Sequence, residues 1–304
     1  MANLRELQRR MVSIRSTMQI TRTMSMISTA RIQKALAASM SAGAYKSAIT
    51  NMLAHVASAH FDTSQPLLAK HEELKRVLFV LIASDRGLAG GFNIQLERQV
   101  EKSIREYKTR GIESLLITCG KKPTEYFTSR GIKPTLSFSG MSSEPTSDEA
   151  DRIASFIMDG YVKESFDRVE LLYWHAKNRV DQTAVDECIL PIEQKTFLMP
   201  NEPREGQALS QVKFKTYTMY DFEPSAKEVL ADLMPAYFKT VIFHALLDSA
   251  AAEHGARRRA MQSATDNAQE VLNTLSRTYN RERQSAITTE LNEIIGGAAA
   301  LEEN

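Results

Sequence analysis

Met261-Gln262-Ser263-Ala264-Thr265-Asp266-Asn267-Ala268-Gln269-Glu270-Val271-Leu272-Asn273-Thr274-Leu275-Ser276-Arg277-Thr278 holds no Pro or Gly and spaces Met261, Ala264, Ala268, Val271, Leu275 and Thr278 by threes and fours. That alternation lays a seam along one side of a helix for a second helix to fill. Read outward, the C-terminal part of the chain is one very long helix that resumes after Pro224 and breaks or kinks near Pro235. It then runs from about Ala236 to Ile295, where Gly296-Gly297 stops it. About sixty helical residues at ~1.5 Å each span about 90 Å, more than a small domain's core can cover. The partner stands at the other end of the sequence. Leu4, Leu7, Met11, Ile14 and Met18 repeat the alternation, and the first Pro is Pro66. Around Met18, Met24 and Met26 the small residues Thr21, Ser25 and Ser28 mark where bulky packing gives way to slender packing. Two helices from opposite chain ends then pair as a long antiparallel coiled coil and carry what lies between them as an insert.

The insert alternates strand and helix. Arg76 to Ala83 and Ser114 to Gly120 are short apolar runs of the kind buried on both faces of a sheet. Asn93 to Tyr107 and Pro123 to Ser129 read as helices, and Ser137 to Thr146 as a Ser/Gly/Pro-rich loop. Ser147 to Glu164 is amphipathic and Arg168 to His175 is a further strand. Ala184 to Ile192 and Val212 to Tyr220 add two more strands, with the polar loop Pro200 to Gln211 between them. The order predicts a Rossmann-like α/β domain with a mostly parallel sheet and a late antiparallel strand. The expected organisation is an N-terminal helix over 1–60, a linker over 61–75, the α/β domain over 76–223 and a C-terminal helix over 224–304.

A net charge of +1 hides an asymmetry: Arg5, Arg9, Arg10, Arg15, Arg22, Arg31, Lys34 and Lys46 face the single acid Glu6 within the first sixty residues. An acidic protein surface, a solvated basic face and nucleic acid are the three candidate neighbours. Aromatic residues do not interleave with the basic ones, and the apolar wedge of a membrane-surface helix is missing. No stretch approaches the ~18 uncharged apolar residues of a spanning helix, and the first residues lack the apolar core and cleavage site of a secretory peptide. Cys119 and Cys188 stand far apart and read as buried free thiols, and the six His residues form no i,i+4 pair, so no metal is assigned.

Ser84 to Asn93 is a glycine-rich loop placed where a phosphate cradle would sit, but its GxxGG spacing is neither GxGxxG nor a P-loop, so a tight turn is the expected role. Asp85 stands there as a lone acid, expected to cap or turn. No nucleophile elbow or catalytic triad can be assembled. The run Arg257-Arg258-Arg259 points over most of a helix circumference and is either solvated or sleeved by partly acidic protein.

Four motifs together resemble the gamma subunit of F-type ATP synthase over essentially the whole chain. They are Gln19-Ile20-Thr21-Arg22-Thr23-Met24, Ser84 to Asn93, Ala264 to Ala268, and Arg283 to Leu291 followed by Glu293-Ile294-Ile295-Gly296-Gly297-Ala298. The resemblance implies a non-catalytic central rotor that couples c-ring rotation to ATP synthesis or hydrolysis, with no cofactor of its own. Its partners would be three alpha and three beta subunits around the shaft, with epsilon and the c-ring at the foot, and its place the cytoplasmic side of a bacterial inner membrane. It implies beta contacts at Arg22, Met24, Arg283, Gln284, Thr288 and Glu290, and epsilon or c-ring contacts at Tyr220, Phe222 and Glu223. One departure stands at the Arg run, where Gly255 precedes Ala256 and Arg258 occupies a position usually Met. Two readings from other classes are a nucleotide-handling α/β enzyme with helical dimerisation arms and a passive coiled-coil scaffold.

Overall fold

The computed structural model describes residues 2–59, 65–192 and 222–302. These form α1 (Ala2–Ala59), β1 (Arg76–Ile82), α2 (Phe92–Thr109), β2 (Glu113–Cys119), α3 (Lys121–Ser129), β3 (Leu136–Phe138), α4 (Ser147–Val162), β4 (Arg168–Ala176), β5 (Gln182–Leu190) and α5 (Ala226–Glu302). The expected strand Val212 to Tyr220 and the loop before it lie outside the described residues. Two compact units result: Met1–Ala30 with Arg257–Asn304, and Arg31–Ala256.

In the larger unit the sheet order is β3-β2-β1-β4-β5. The first four strands are parallel, and β5 runs antiparallel to β4 through a tight turn. Both faces are covered, which is why the strands read as unbroken apolar runs. Along β1, Leu78, Val80 and Ile82 point to one core, with Ile153, Ile157 and Tyr161 of α4, Ile49, Leu53 and Val56 of α1, and Leu230 to Leu246 of α5. Val77, Phe79 and Leu81 point to the other, with Phe92, Leu96 and Val100 of α2, Phe127 of α3, and Ala251, Ala252 and Ala256 of α5. The segment before β1 joins the first core through Leu67 and Leu68. Tyr161 Oη donates to the Ala69 carbonyl at 2.7 Å, and Asp167 accepts from the backbone N–H groups of Lys75 and Arg76 at 2.8 Å each.

Local signals explain several boundaries. Thr146 and Glu149 close a capping box at the start of α4. Gly120, between β2 and α3, has φ +124°, and a Cβ there would stand 2.7 Å from the Ala83 carbonyl oxygen, so only glycine lets the two strand ends approach.

Several boundaries differ from expectation. β3 overlaps the start of the segment read as a loop, and it pairs with β2 over three residues. α5 continues through Pro235. The lost N–H is outweighed there by the burial of Leu230, Met234, Tyr237 and Phe238 around it. It also continues through Gly296-Gly297, because Ala298-Ala299-Ala300-Leu301-Glu302 are strong helix formers and nothing stands within 4 Å of a Cβ at Gly296. The helix is thus 77 residues long, about 115 Å at ~1.5 Å per residue. It also holds a window long and apolar enough to cross a membrane, contrary to expectation, half of it buried within the chain. The buried apolar residues of α5 between Leu230 and Ala256 serve the two cores.

In the smaller unit α1 and α5 run antiparallel. Thr21 Oγ1 lies 2.7 Å from Thr265 Oγ1, one hydroxyl donating to the other. Leu7, Thr21, Ser25 and Ser28 of α1 are buried, as are Met261 and Leu272 of α5. The α5 seam therefore passes through Leu272; Val271, expected on it, is 47 % exposed.

Candidate functional interface

The strand order runs outward in both directions from β1, so the topological switch point falls at its carboxyl end, where doubly wound sheets place ligands. Here that crevice is filled by the chain itself. The Asp85 carboxylate accepts from the backbone N–H of Lys121 (2.9 Å), Gly140 (2.9 Å) and Ser142 (3.0 Å), and the Asp85 N–H donates to Ser142 Oγ. Burial works against the charge, but the three N–H groups prevail and hold this carboxyl below its ordinary range. Ser84 N–H and Oγ both donate to Asn93 Oδ1, closing the loop on itself. Asp85 is thus a staple for the loops after β1, β2 and β3.

Other polar groups are internal. Glu97 on α2 is buried, and burial pushes its carboxyl up to about 7 although Arg130 and Lys122 oppose the shift. Cys119 is a buried free thiol, pushed up to about 12 by burial, whereas Cys188 is only half-buried. Among the described residues no three metal-ligating side chains gather.

The residues singled out in the sequence fall in different places. Arg22 is exposed on α1 and Met24 half-buried beside it. Next to them Ser25 and Thr29 face Arg258, Arg259, Gln262, Ser263, Asp266 and Asn267 across a groove of about 680 Å³. Arg257 is buried and so is not a solvated member of its run. Arg283, Gln284, Thr288 and Glu290 are all exposed along the last turns of α5, and Thr288 Oγ1 donates to the Gln284 carbonyl at 2.9 Å. At the other end of α5, Phe222 packs against the first core and Glu223 is exposed, while Tyr220 lies outside the described residues.

Counting back nineteen residues from Thr21 reaches Ala2, and counting on nineteen from Thr265 reaches Gln284, so α1 ends level with Gln284. Among the described residues no part of α1 lies alongside the later turns of α5, which expose Ile287, Leu291, Ile294 and Ile295 beside the polar residues just named. A lone amphipathic stretch of this length is marginal in water, and an exposed apolar row marks an interaction surface.

One residue was missed. Asp248 on α5 is 1 % exposed and accepts from His175 Nδ1 at 2.5 Å, the Ala176 N–H at 3.1 Å and Ser39 Oγ at 3.3 Å. Its signal was available: Val241, Ala245, Asp248, Ala252 and Ala256 form one helical stripe, and a carboxylate on an apolar stripe demands buried donors.

Paired helices from opposite chain ends, an inserted α/β domain and an exposed apolar row near the end of α5 define the class: a long helical hairpin that carries an α/β insert. Comparison with known proteins gives the same class. The family model described as ATP synthase matches residues 3–301. The ATP synthase gamma chain of Desulforamulus reducens is 39 % identical over 99 % of this chain and 100 % of its own length. That of Cytophaga hutchinsonii is 38 % identical over 99 % of each. A chain in the OSCP/F1/c-ring structure of the Euglena gracilis mitochondrial ATP synthase superposes with a TM-score of 0.65 at 16 % identity, covering 99 % of this chain and 95 % of that one. The chain belongs to the ATP synthase gamma chain family.

Proposed function

We propose that the chain is the rotor that couples ion-driven rotation of a c-ring to ATP synthesis or hydrolysis in three beta subunits, without catalysing either itself. The observation that carries this reading is the α5 tip from Arg283 onward, where exposed Ile287, Leu291, Ile294 and Ile295 alternate with exposed Arg283, Thr288 and Glu290. Such a surface suits enclosure by a sleeve of alpha and beta subunits, three of each, with Arg283, Gln284, Thr288 and Glu290 contacting a beta loop. Arg22 and Met24 would meet an acidic segment of beta lower on the shaft. Charge supports that assignment: Arg5, Arg9, Arg15, Arg22 and Arg31 are exposed on α1, and Glu6 is spent on Arg10. At the foot Tyr220, Phe222 and Glu223 would meet epsilon and the c-ring, on the cytoplasmic side of a bacterial inner membrane. Rotation drives the beta sites apart only if the shaft binds the three at unequal free energy, since equal affinity for all states shifts nothing.

The experiment is to isolate the complex from membranes, with stoichiometry and multi-site ATP hydrolysis measured for the native chain and for Arg283→Ala and Gln284→Ala. One copy per three alpha and three beta is expected, with turnover changed more than assembly, because charge-assisted hydrogen bonds contribute about 1.5–3 kcal/mol each. A complex lacking the chain would overturn the reading. Unchanged turnover in both variants would overturn the beta contact at the tip.

A further inference from the structure

The contact of α5 with the second face of the sheet is made by Ala251, Ala252 and Ala256. Small side chains give a smooth surface, and apolar contact is non-directional, so packing of this kind resists separation better than it resists sliding. Asp248 adds a directional attachment beside it. Asp248 uses both carboxylate oxygens: Oδ1 accepts from the Ala176 N–H and from Ser39 Oγ, and Oδ2 from His175 Nδ1. Three elements therefore meet on one buried carboxylate: the carboxyl end of β4, the body of α1, and α5 itself. β4 lies beside the central strand β1, which links it to the rest of the parallel sheet. The His175 side chain is 43 % exposed, with Nδ1 facing Asp248 Oδ2.

Resting on the rotor reading, we propose that Asp248 is a positioning residue for torque transfer. It keys α1 and α5 to the end of β4, so that the helices turn with the α/β body under load instead of slipping across it. The bonds to a charged acceptor have preferred lengths and angles and weaken steeply when these are violated. They add resistance to shear to that of the packed first core, at the end of the sheet where α5 offers small side chains.

The test uses the complete ion-translocating complex reconstituted into vesicles, with the native chain, Asp248→Ala, Asp248→Asn, His175→Ala and Ser39→Ala. The ion gradient built per ATP hydrolysed is read at rising opposing gradient. Asp248→Ala is expected to hydrolyse ATP normally at low load and to slip roughly tenfold more often near the stall gradient, the factor a single charge-assisted hydrogen bond commands. His175→Ala should slip less than Asp248→Ala. Asp248→Asn, which keeps an acceptor for Ala176 and Ser39, should slip least of the three. A solely structural role would lower the yield of complex yet leave the assembled fraction fully coupled at every load, and that result overturns the proposal. So does native coupling in both Asp248→Ala and His175→Ala. If Asp248→Ala does not assemble, His175→Ala and Asp248→Asn decide the matter by the same readout. Failure of the rotor reading is a separate outcome, in which the complex with the native chain builds no gradient at all.

Discussion

The body formed by residues 31–256 and the helix pair formed by residues 1–30 and 257–304 hold themselves together by different means. In the body the fully buried side chains are large: Phe79, Phe92, Phe127, Phe238, Tyr161, Leu53 and Leu96. In the helix pair the buried positions of α1 are Leu7 and then Thr21, Ser25 and Ser28. A side chain such as Leu or Phe contributes about 1.5–3 kcal/mol on full burial, and a serine contributes almost none. The body can fold on its own apolar cores, whereas the thin pair leaves much of its cohesion to whatever surrounds it.

That contrast is open to direct attack. Trp174 is the chain's single tryptophan, buried in the body, and its indole N–H donates to the Phe92 carbonyl at 2.8 Å, so its fluorescence reports the body alone. Phe79→Ala should lower the urea stability read at Trp174 by about 3–5 kcal/mol. Leu272→Ala should leave that transition in place and weaken only the helical circular-dichroism signal. A common transition displaced by both variants would break the comparison.

Glu97 gives the next effect, in the opposite direction. Its folded carboxyl titrates near 7, above its unfolded value, so the folded state holds a proton that the unfolded state has released. Stability therefore falls as pH rises from about 4.5 to 7 and stays lower above that. Glu97→Gln should remove this slope and be more stable at pH 8 by at most about 3 kcal/mol, the ceiling for a shift of this size at ~1.36 kcal/mol per unit. Urea titration at pH 5 and pH 8 reads both quantities, and an unchanged slope would mean that Glu97 is charged in the folded body.

Asp85 and Asp167 work the other way. Their folded carboxyls are held below the ordinary range in spite of burial, by backbone N–H donors and, for Asp167, by His71 as well. Their contribution is complete above the unfolded value near ~3.9 and is lost as pH falls through the folded values. Asp85→Asn should be about 1 kcal/mol less stable at neutral pH and show a shallower loss in acid, with part of the slope kept by Asp167. Equal acid slopes in variant and native chain would remove Asp85 from its role as staple.

The smallest effect belongs to the helix pair. Thr21→Val removes the hydroxyl pair with Thr265 but fills the seam with a branched apolar group of the same shape, an exchange that is close to neutral, within about 0.5 kcal/mol. A loss of several kcal/mol in thermal melting would mean that the slender seam is held by polar bonds after all.

Much of this architecture was legible because it rests on periodicity. Leu4, Leu7, Met11, Ile14 and Met18 announce α1, and the apolar run after Arg76 announces a strand covered on both sides. What escaped rests on tertiary context. Leu136-Ser137-Phe138 is too short to carry a pattern and is a strand only because β2 offers it an edge. Val271 and Leu272 are adjacent and equally apolar, so spacing could not say which faces α1. Pro235 and Gly296 are breakers by propensity, a weak prior that burial in one case and good neighbouring formers in the other overrule. Of the proposed contact residues, Arg283 to Glu290 could be read only by resemblance, since exposed polar residues on a helix carry no signal of what they touch.

The hydroxyl groups of the two long helices have one consequence beyond their own seams. Thr17, Thr23 and Thr29 of α1 donate to the carbonyls of Ser13, Gln19 and Ser25, and Thr274, Thr278, Thr288 and Thr289 of α5 donate to those of Glu270, Thr274, Gln284 and Ser285. Each hydroxyl proton is thus committed to its own backbone, and the threonine methyl groups make up much of what these residues present outward. Stripping water from such a surface strands no donor, so its dehydration costs less than its composition suggests. A neighbour can press against these faces and leave them again with little to rehydrate at each step.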